Sequence, residues 1–235
     1  ASVHLIGGSR GAGKTAFECW MAAHILRGEP FLGHKTRCPP WWGCLIIDRS
    51  SEDRRFWQQQ AGLDGVIPYY CMTEDSAMTP ERLQKLSYYE AWAFLVDKIK
   101  SLKPQRGGVL TIDVASFFIP DFRLGYQAAF ARGWSLSRLA KDLGIVILAV
   151  VHGGKQSSGD RYIRLTDRII ASTGFLGAIS TVCYLTTQEE SGGKGYQEFQ
   201  WDSHYWPPER FRLKRTENGL YEVSGDRDAA AAKPV

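Results

Sequence analysis

Gly8-Ser9-Arg10-Gly11-Ala12-Gly13-Lys14-Thr15 matches the spacing G-x-x-x-x-G-K-[ST] in full. Glycines at these positions let backbone N–H groups converge on an anion, and a helix that starts there adds the positive end of its dipole. Lys14 can reach terminal phosphates and Thr15 can ligate magnesium. The expected binding set is therefore Gly8, Arg10, Gly11, Ala12, Gly13, Lys14, Thr15 and Ala16, with ATP and Mg2+ as cofactors. The motif carries this meaning only between a strand and a helix. Residues 3–6 form a short apolar run broken at Gly7-Gly8, and residues 14–26 hold good helix formers without proline, so the order is right.

The same alternation continues outward from the loop. A second apolar run at 44–47 follows the turn-rich Pro39-Pro40-Trp41-Trp42-Gly43 and ends at Asp48. Thr79-Pro80-Glu81 opens a helix, and the spacing of Leu86, Tyr89, Ala93 and Val96 predicts its buried face. Val109-Leu110-Thr111-Ile112-Asp113 reads as a strand after Gly107-Gly108. A helix with Leu136, Leu139, Ala140 and Leu143 on one face follows, and then an apolar run at 145–151. Strands alternating with helices imply an α/β fold with a mainly parallel central sheet flanked by helices. Residues 181–185 are a further strand, and 211–215 with 220–223 flank Asn218-Gly219 as a hairpin, so an antiparallel C-terminal extension is expected. A single domain over residues 1–225 and a flexible tail over 226–235 complete this reading.

Composition narrows the class without deciding it. The 235 residues are 44% hydrophobic and 23% charged, which excludes a disordered, collagenous or coiled-coil chain. A net charge of +4 permits an anionic partner without arguing for one. The longest apolar run is far shorter than a membrane span and no signal segment leads the chain. Five cysteines without a C-x-x-C pair read as reduced thiols, so a cytoplasmic protein with no membrane partner is expected. His34, Cys38 and Cys44 are candidates for a metal clip, with a loop of incidental thiols as the plainer reading.

Asp113 ends an apolar strand about a hundred residues after the loop. There it is either the second carboxylate that holds magnesium opposite Thr15 or the cap of the next helix. The extra strand ending at Asp48, with Glu52 and Asp53 beyond it, resembles the RecA-like ATPases. The segment Gly28-Glu29-Pro30-Phe31-Leu32-Gly33, the His152-Gly153-Gly154-Lys155 that closes the fourth strand, and residues 168–174 with Ser172 together resemble the RepA-type hexameric helicases and related phage recombination ATPases. That resemblance covers most of residues 3–223. It implies a RecA-like P-loop NTPase in which Lys14 and Thr15 bind nucleotide and magnesium, Asp113 is the second-strand carboxylate and His152 senses the γ-phosphate. The guanine-reading Asn-Lys-x-Asp of common GTPases is absent, since the chain's one asparagine is Asn218.

The resemblance also shows departures. The family places a catalytic glutamate just after its second strand, whereas this chain reads Asp48-Arg49-Ser50-Ser51-Glu52, so Asp48 and Glu52 both remain candidates for the base. Either could instead be a surface carboxylate paired with Arg54 or Arg55. The chain opens two residues before its first strand, where many RecA-like proteins carry an extension that grips a neighbour. A homo-oligomer, ring or filament, is nevertheless implied, because these ATPases bind nucleotide at a subunit interface. Arg161, Arg164, Arg168 and Arg215 are the candidates for the arginine that a neighbour would contribute.

After His152 the chain is rich in glycine, serine and charge. In RecA-like proteins this loop contacts single-stranded DNA, and Lys155, Arg161, Tyr162, Arg164 and Arg168 offer cations for phosphates and a ring for stacking; a solvated active-site loop is the alternative. Arg210, Arg212 and Lys214 alternate with Phe211 and Leu213, which puts three cations on one strand face, most simply a solvated edge. The implied activity is an ATPase acting on single-stranded DNA in replication or recombination, helicase-like or annealing. A small-molecule phosphotransferase and a low-turnover nucleotide-binding scaffold are the readings from other classes.

Overall fold

The computed structural model describes residues 1–8, 11–47, 51–75, 78–115, 118, 126–152, 173–188, 196–203, 208–224 and 228–229. In chain order the elements are β1 (Ser2–Gly8), α1 (Lys14–Leu26), β2 (Trp42–Ile46), α2 (Ser51–Gln60), β3 (Tyr69–Cys71), α3 (Pro80–Lys85), α4 (Tyr88–Ser101), β4 (Val109–Asp113), α5 (Tyr126–Leu143), β5 (Val146–Val150), α6 (Thr173–Gly177), β6 (Thr181–Gln188), β7 (Tyr196–Ser203), β8 (Glu209–Arg215), β9 (Tyr221–Val223) and β10 (Asp228–Ala229). The strands join one sheet in the order β10-β8-β7-β6-β1-β5-β4-β2-β3, with β9 also on β8. The pairs from β6 through β1 to β3 are parallel. Those among β6, β7, β8, β9 and β10 are antiparallel. This is the expected α/β architecture.

The parallel strands are apolar on both faces because both faces are covered. On one side Ile6, Ile46 and Val150 pack with α1, and on the other Leu5, Leu45, Ile112 and Ile147 pack with α4, α5 and α6. Every residue of α1 from Lys14 to Ala23 is buried, as befits a helix that is apolar nearly all round. The antiparallel extension covers the outer side of this helix. Phe199 of β7 stacks on Phe17 at 4.5 Å between centroids, while Phe211 and Leu213 of β8 join the same core. Burying a ring such as Phe17 contributes on the order of 1.5–3 kcal/mol.

The Pro30-Phe31-Leu32-Gly33 segment closes the far end of α1. Phe31 and His34 exchange backbone hydrogen bonds of 2.9 Å around a tight turn, with Leu32 at φ 51° and Gly33 at φ 77°. The turn drives Phe31 against Trp20 and Phe17, at centroid distances of 5.0 and 6.0 Å. Two positive φ values in succession suit a glycine at the second position, and Leu32 bears its strain because its side chain is 5% exposed.

Several expectations need correction. The helix opened by Thr79 ends at Lys85, and a new one starts at Ser87 with a capping box to Glu90. That fresh start resets the helical phase: Ala91, Leu95 and Ile99 are buried, whereas Ala93 is exposed and Tyr89 is 82% exposed. The second strand begins at Trp42, inside the stretch read as a turn, and stops at Ile46. β3 and β7 were not anticipated. β7 buries Gln197 and Gln200 beside Phe199, so its alternation is not one of hydrophobicity. Asp228 and Ala229, within the segment read as a tail, pair with Arg210 and Glu209.

The cations of β8 are exposed as expected, yet two of them have partners on the strand beside it. Arg212 lies over the Tyr196 ring at 4.0 Å, and Arg210 sits 3.8 Å from Glu198. Among the described residues no helix is long and apolar enough to cross a membrane.

Candidate nucleotide site

β1, β5, β4 and β2 end together at the carboxyl edge of the sheet, where Ile6 pairs with Val150, Val150 with Asp113 and Asp113 with Ile46. The phosphate loop leaves β1 at this edge. Gly8 must lack a side chain, since a Cβ there would lie 2.5 Å from the Leu185 carbonyl oxygen. Gly13 occupies the N-cap of α1 in the left-handed conformation, at φ 81°. Gly13 offers no side-chain cap and the first turn of α1 holds no acid of its own, so the positive end of the helix dipole faces the loop.

The side chains expected to act are brought together here. Lys14 and Thr15 are each 4% exposed and Asp113 is 3% exposed. The Lys14 ammonium donates to the Gly8 carbonyl at 2.8 Å, curling back over the loop it serves. Thr15 Oγ1 donates to Asp113 Oδ2 at 2.8 Å, across 98 residues of sequence. β5 lies between β1 and β4, so the loop's helix must lean across a strand to make this contact. Gly11 and Ala12 complete the loop, whereas the Ala16 side chain is wholly buried in the α1 core and contributes backbone only.

Other expected residues are placed less closely or fall outside the description. Glu52 is exposed in the first turn of α2. His152 lies two residues beyond the end of β5 and is half-buried. Arg10, Asp48, Ser172 and the loop residues Lys155, Arg161, Tyr162, Arg164 and Arg168 lie outside the described residues. His34, Cys38 and Cys44 do not form a metal clip: His34 Nε2 is 2.9 Å from Glu209, the Cys38 thiol donates to the Leu26 carbonyl and Cys44 is buried in β2. Burial pushes the Cys44 thiol well above the ordinary range. Among the described residues no group of three His, Cys, Asp or Glu could hold a metal.

Arg54 is not a surface residue. It is 1% exposed, and its Nη1 donates to Glu18 inside the molecule. Arg55 is exposed and donates to the Tyr69 hydroxyl at 2.6 Å. The signal missed in the sequence is Glu18 itself, a lone acid in the apolar run of α1, where only a buried partner makes a charge tolerable.

The C-terminal hairpin supplies a second unforeseen contact. Tyr221 directs its hydroxyl at the carbonyls of Gly13 and Ala12, 3.2 and 3.4 Å away, and Arg215 donates to that hydroxyl at 3.2 Å. A Cβ on Gly13 would lie 2.1 Å from Arg215 Nη2. The Arg215 guanidinium is thus engaged at its own chain's phosphate loop. A separate cavity of about 680 Å³ opens at the far end of α1, between Phe17, Ile25, Phe31 and the amino ends of the strands, and no residue of the phosphate loop lines it.

With this geometry in hand, comparison with known proteins is specific at one level and silent at another. No curated protein matches the chain in sequence. Among solved structures, a KaiC-like protein from the hyperthermophilic archaeon Pyrococcus horikoshii superposes with a TM-score of 0.59, covering 95% of this chain and 89% of that one at 13% identity, which is a likeness of fold. Residues 1–158 match the family described as AAA domain. The chain therefore belongs to the AAA domain family and is a P-loop ATPase of RecA-like fold.

Proposed function

We propose that the chain hydrolyses ATP at the Lys14–Thr15–Asp113 site and couples the cycle to single-stranded DNA, as a helicase- or translocase-like motor of the RepA type working as a homo-oligomer in the cytoplasm. The observation that carries hydrolysis is the buried Thr15–Asp113 contact beneath an uncapped helix N-terminus. An all-oxygen pair of this kind fits magnesium, which Thr15 and Asp113 would hold and which supplies charge neutralisation at the β- and γ-phosphates.

The chain's own groups do the rest. Loop N–H groups and the α1 terminus bind the phosphates, and Lys14 trades the Gly8 carbonyl for phosphate oxygen. A water oxygen attacks the γ-phosphorus, the bond to the β–γ bridging oxygen breaks, and Asp48 or Glu52 takes the water's proton. Support for DNA coupling comes from the sequence of residues 153–172, which holds Lys155, Arg161, Arg164 and Arg168 and follows His152 in the chain just beyond β5.

The test is steady-state ATP hydrolysis with and without single-stranded DNA across a salt series, with Lys14→Ala as the blank. Stimulation by DNA that fades with salt and disappears in the variant supports the motor. Turnover indifferent to DNA moves the assignment to a phosphotransferase, and tight ATP binding without turnover moves it to a scaffold.

A further inference from the structure

Glu18 and Arg54 are 0% and 1% exposed and form an ion pair inside the molecule. The other carboxylate oxygen, Oε1, accepts the Thr111 hydroxyl at 2.7 Å, and Thr111 Oγ1 in turn accepts the Trp42 indole N–H at 3.1 Å. One connected set of hydrogen bonds therefore joins α2, α1, β4 and β2. It is a poorly satisfied set: among the described residues, Nε and Nη2 of Arg54 have no hydrogen-bond partner. Burial works against this guanidinium's charge, and the hydrogen-bonded Glu18 carboxylate beside it favours the charge.

Such a pair is hard to explain by stability. Well-packed apolar residues commonly serve a buried site as well as an ion pair or better, because removing two charges from water costs so much. What an ion pair adds is direction. Glu18 stands one helical turn beyond Lys14, on the helix that carries Thr15. Thr111 stands two residues before Asp113 on the same strand, and so on the same face of the sheet. Arg54 stands two residues after Glu52, on the buried side of a helix whose opposite side exposes that acid.

We infer that Arg54 is a positioning residue for ATP hydrolysis: through Glu18 and Thr111 it holds the start of α2, and with it the base, in register with Lys14, Thr15 and Asp113. This rests on the hydrolytic reading above. On this reading the pair acts on the chemical step and leaves nucleotide binding alone.

The test separates that role from mere support of the fold. In the double variant Glu18→Leu/Arg54→Met both charges go together and no buried ion is orphaned, so its melting temperature is expected to stay within about 5 °C of the parent's. Its affinity for a fluorescent ATP analogue stays within about threefold, while kcat falls about 10- to 100-fold. Arg54→Lys, which keeps the charge, recovers part of kcat. Parental kcat in a folded double variant overturns the inference and leaves hydrolysis standing. A parent that binds ATP without turnover overturns both. Should the double variant fail to fold, Thr111→Val reads the same link at constant volume, and unchanged kcat there overturns the inference equally.

Discussion

The hydroxyl of Tyr221 lies 3.2 Å from the carbonyl oxygen of Gly13, which stands 208 positions earlier in the chain. The same carbonyl accepts the Phe17 N–H at 2.9 Å, the first hydrogen bond of α1. The antiparallel extension thus braces the phosphate loop from the side that the Ala12 and Gly13 carbonyls face. Burial pushes the Tyr221 phenol up to about 12, so it remains a donor across the physiological range.

Removing that hydroxyl tests the brace. Tyr221→Phe keeps the ring against Phe17 and is expected to lower unfolding free energy by about 1 kcal/mol in a urea titration. Weaker ATP binding in the same variant would show that the contact shapes the loop. A variant with parental stability and affinity would show that it does not.

Ligand linkage probes the Thr15–Asp113 pair. At about a hundredfold excess over Kd, Mg·ATP is expected to stabilise the parent by about 2.7 kcal/mol in thermal unfolding. Lys14→Ala should lose the whole effect. Asp113→Asn should keep the stabilisation by ATP in chelator and lose the increment that magnesium adds; an increment equal to the parent's would remove Asp113 from the metal site.

Acid should destabilise the fold through His4. Its ring is held down, from an ordinary 6.5 to about 4, mainly by burial in β1. Between pH 6.5 and 4 the unfolded chain takes up a proton that the folded chain refuses, so stability falls as pH drops through this window and is flat above it. The upper bound is about 3 kcal/mol. Denaturant midpoints measured across that window should show a shallower slope for His4→Gln than for the parent.

Ser87 carries the second start of the helical pair before β4. Its Oγ accepts the Glu90 N–H and its own N–H donates to the Glu90 carboxylate at 2.8 Å. Ser87→Ala is expected to cost about 1 kcal/mol. A urea midpoint unchanged from the parent's would mean that packing of Leu95 and Ile99 alone sets the boundary.

Much of the architecture was legible because its causes are local. The run 3–6, the glycines of the loop and the proline-free segment 14–26 predict β1, the turn and α1 from backbone freedom and apolar period alone, and α1 falls at Lys14–Leu26 as read. The S-x-x-E signal at Ser87 is equally local, and the helix start that it marks turns Tyr89 to the exposed face. β7 was harder, since Gln197 and Gln200 are buried on a strand enclosed between β6 and β8 and nothing in the residue type announces it.

The candidate site divides along the same line. Residues 8–15 and the strand-terminal Asp113 could be named from the sequence by itself, because a glycine-rich turn before a helix and an acid at the end of an apolar strand are properties of short segments. Only the tertiary structure decided that Thr15 meets Asp113, that Arg54 is buried against Glu18 and that Tyr221 reaches Gly13. The Thr15–Asp113 contact follows from the sheet order β1-β5-β4, which brings segments about a hundred residues apart into one edge. Strand neighbours are selected by the packing of whole faces, in which every element's apolar surface competes for every other's. No window of sequence contains that competition.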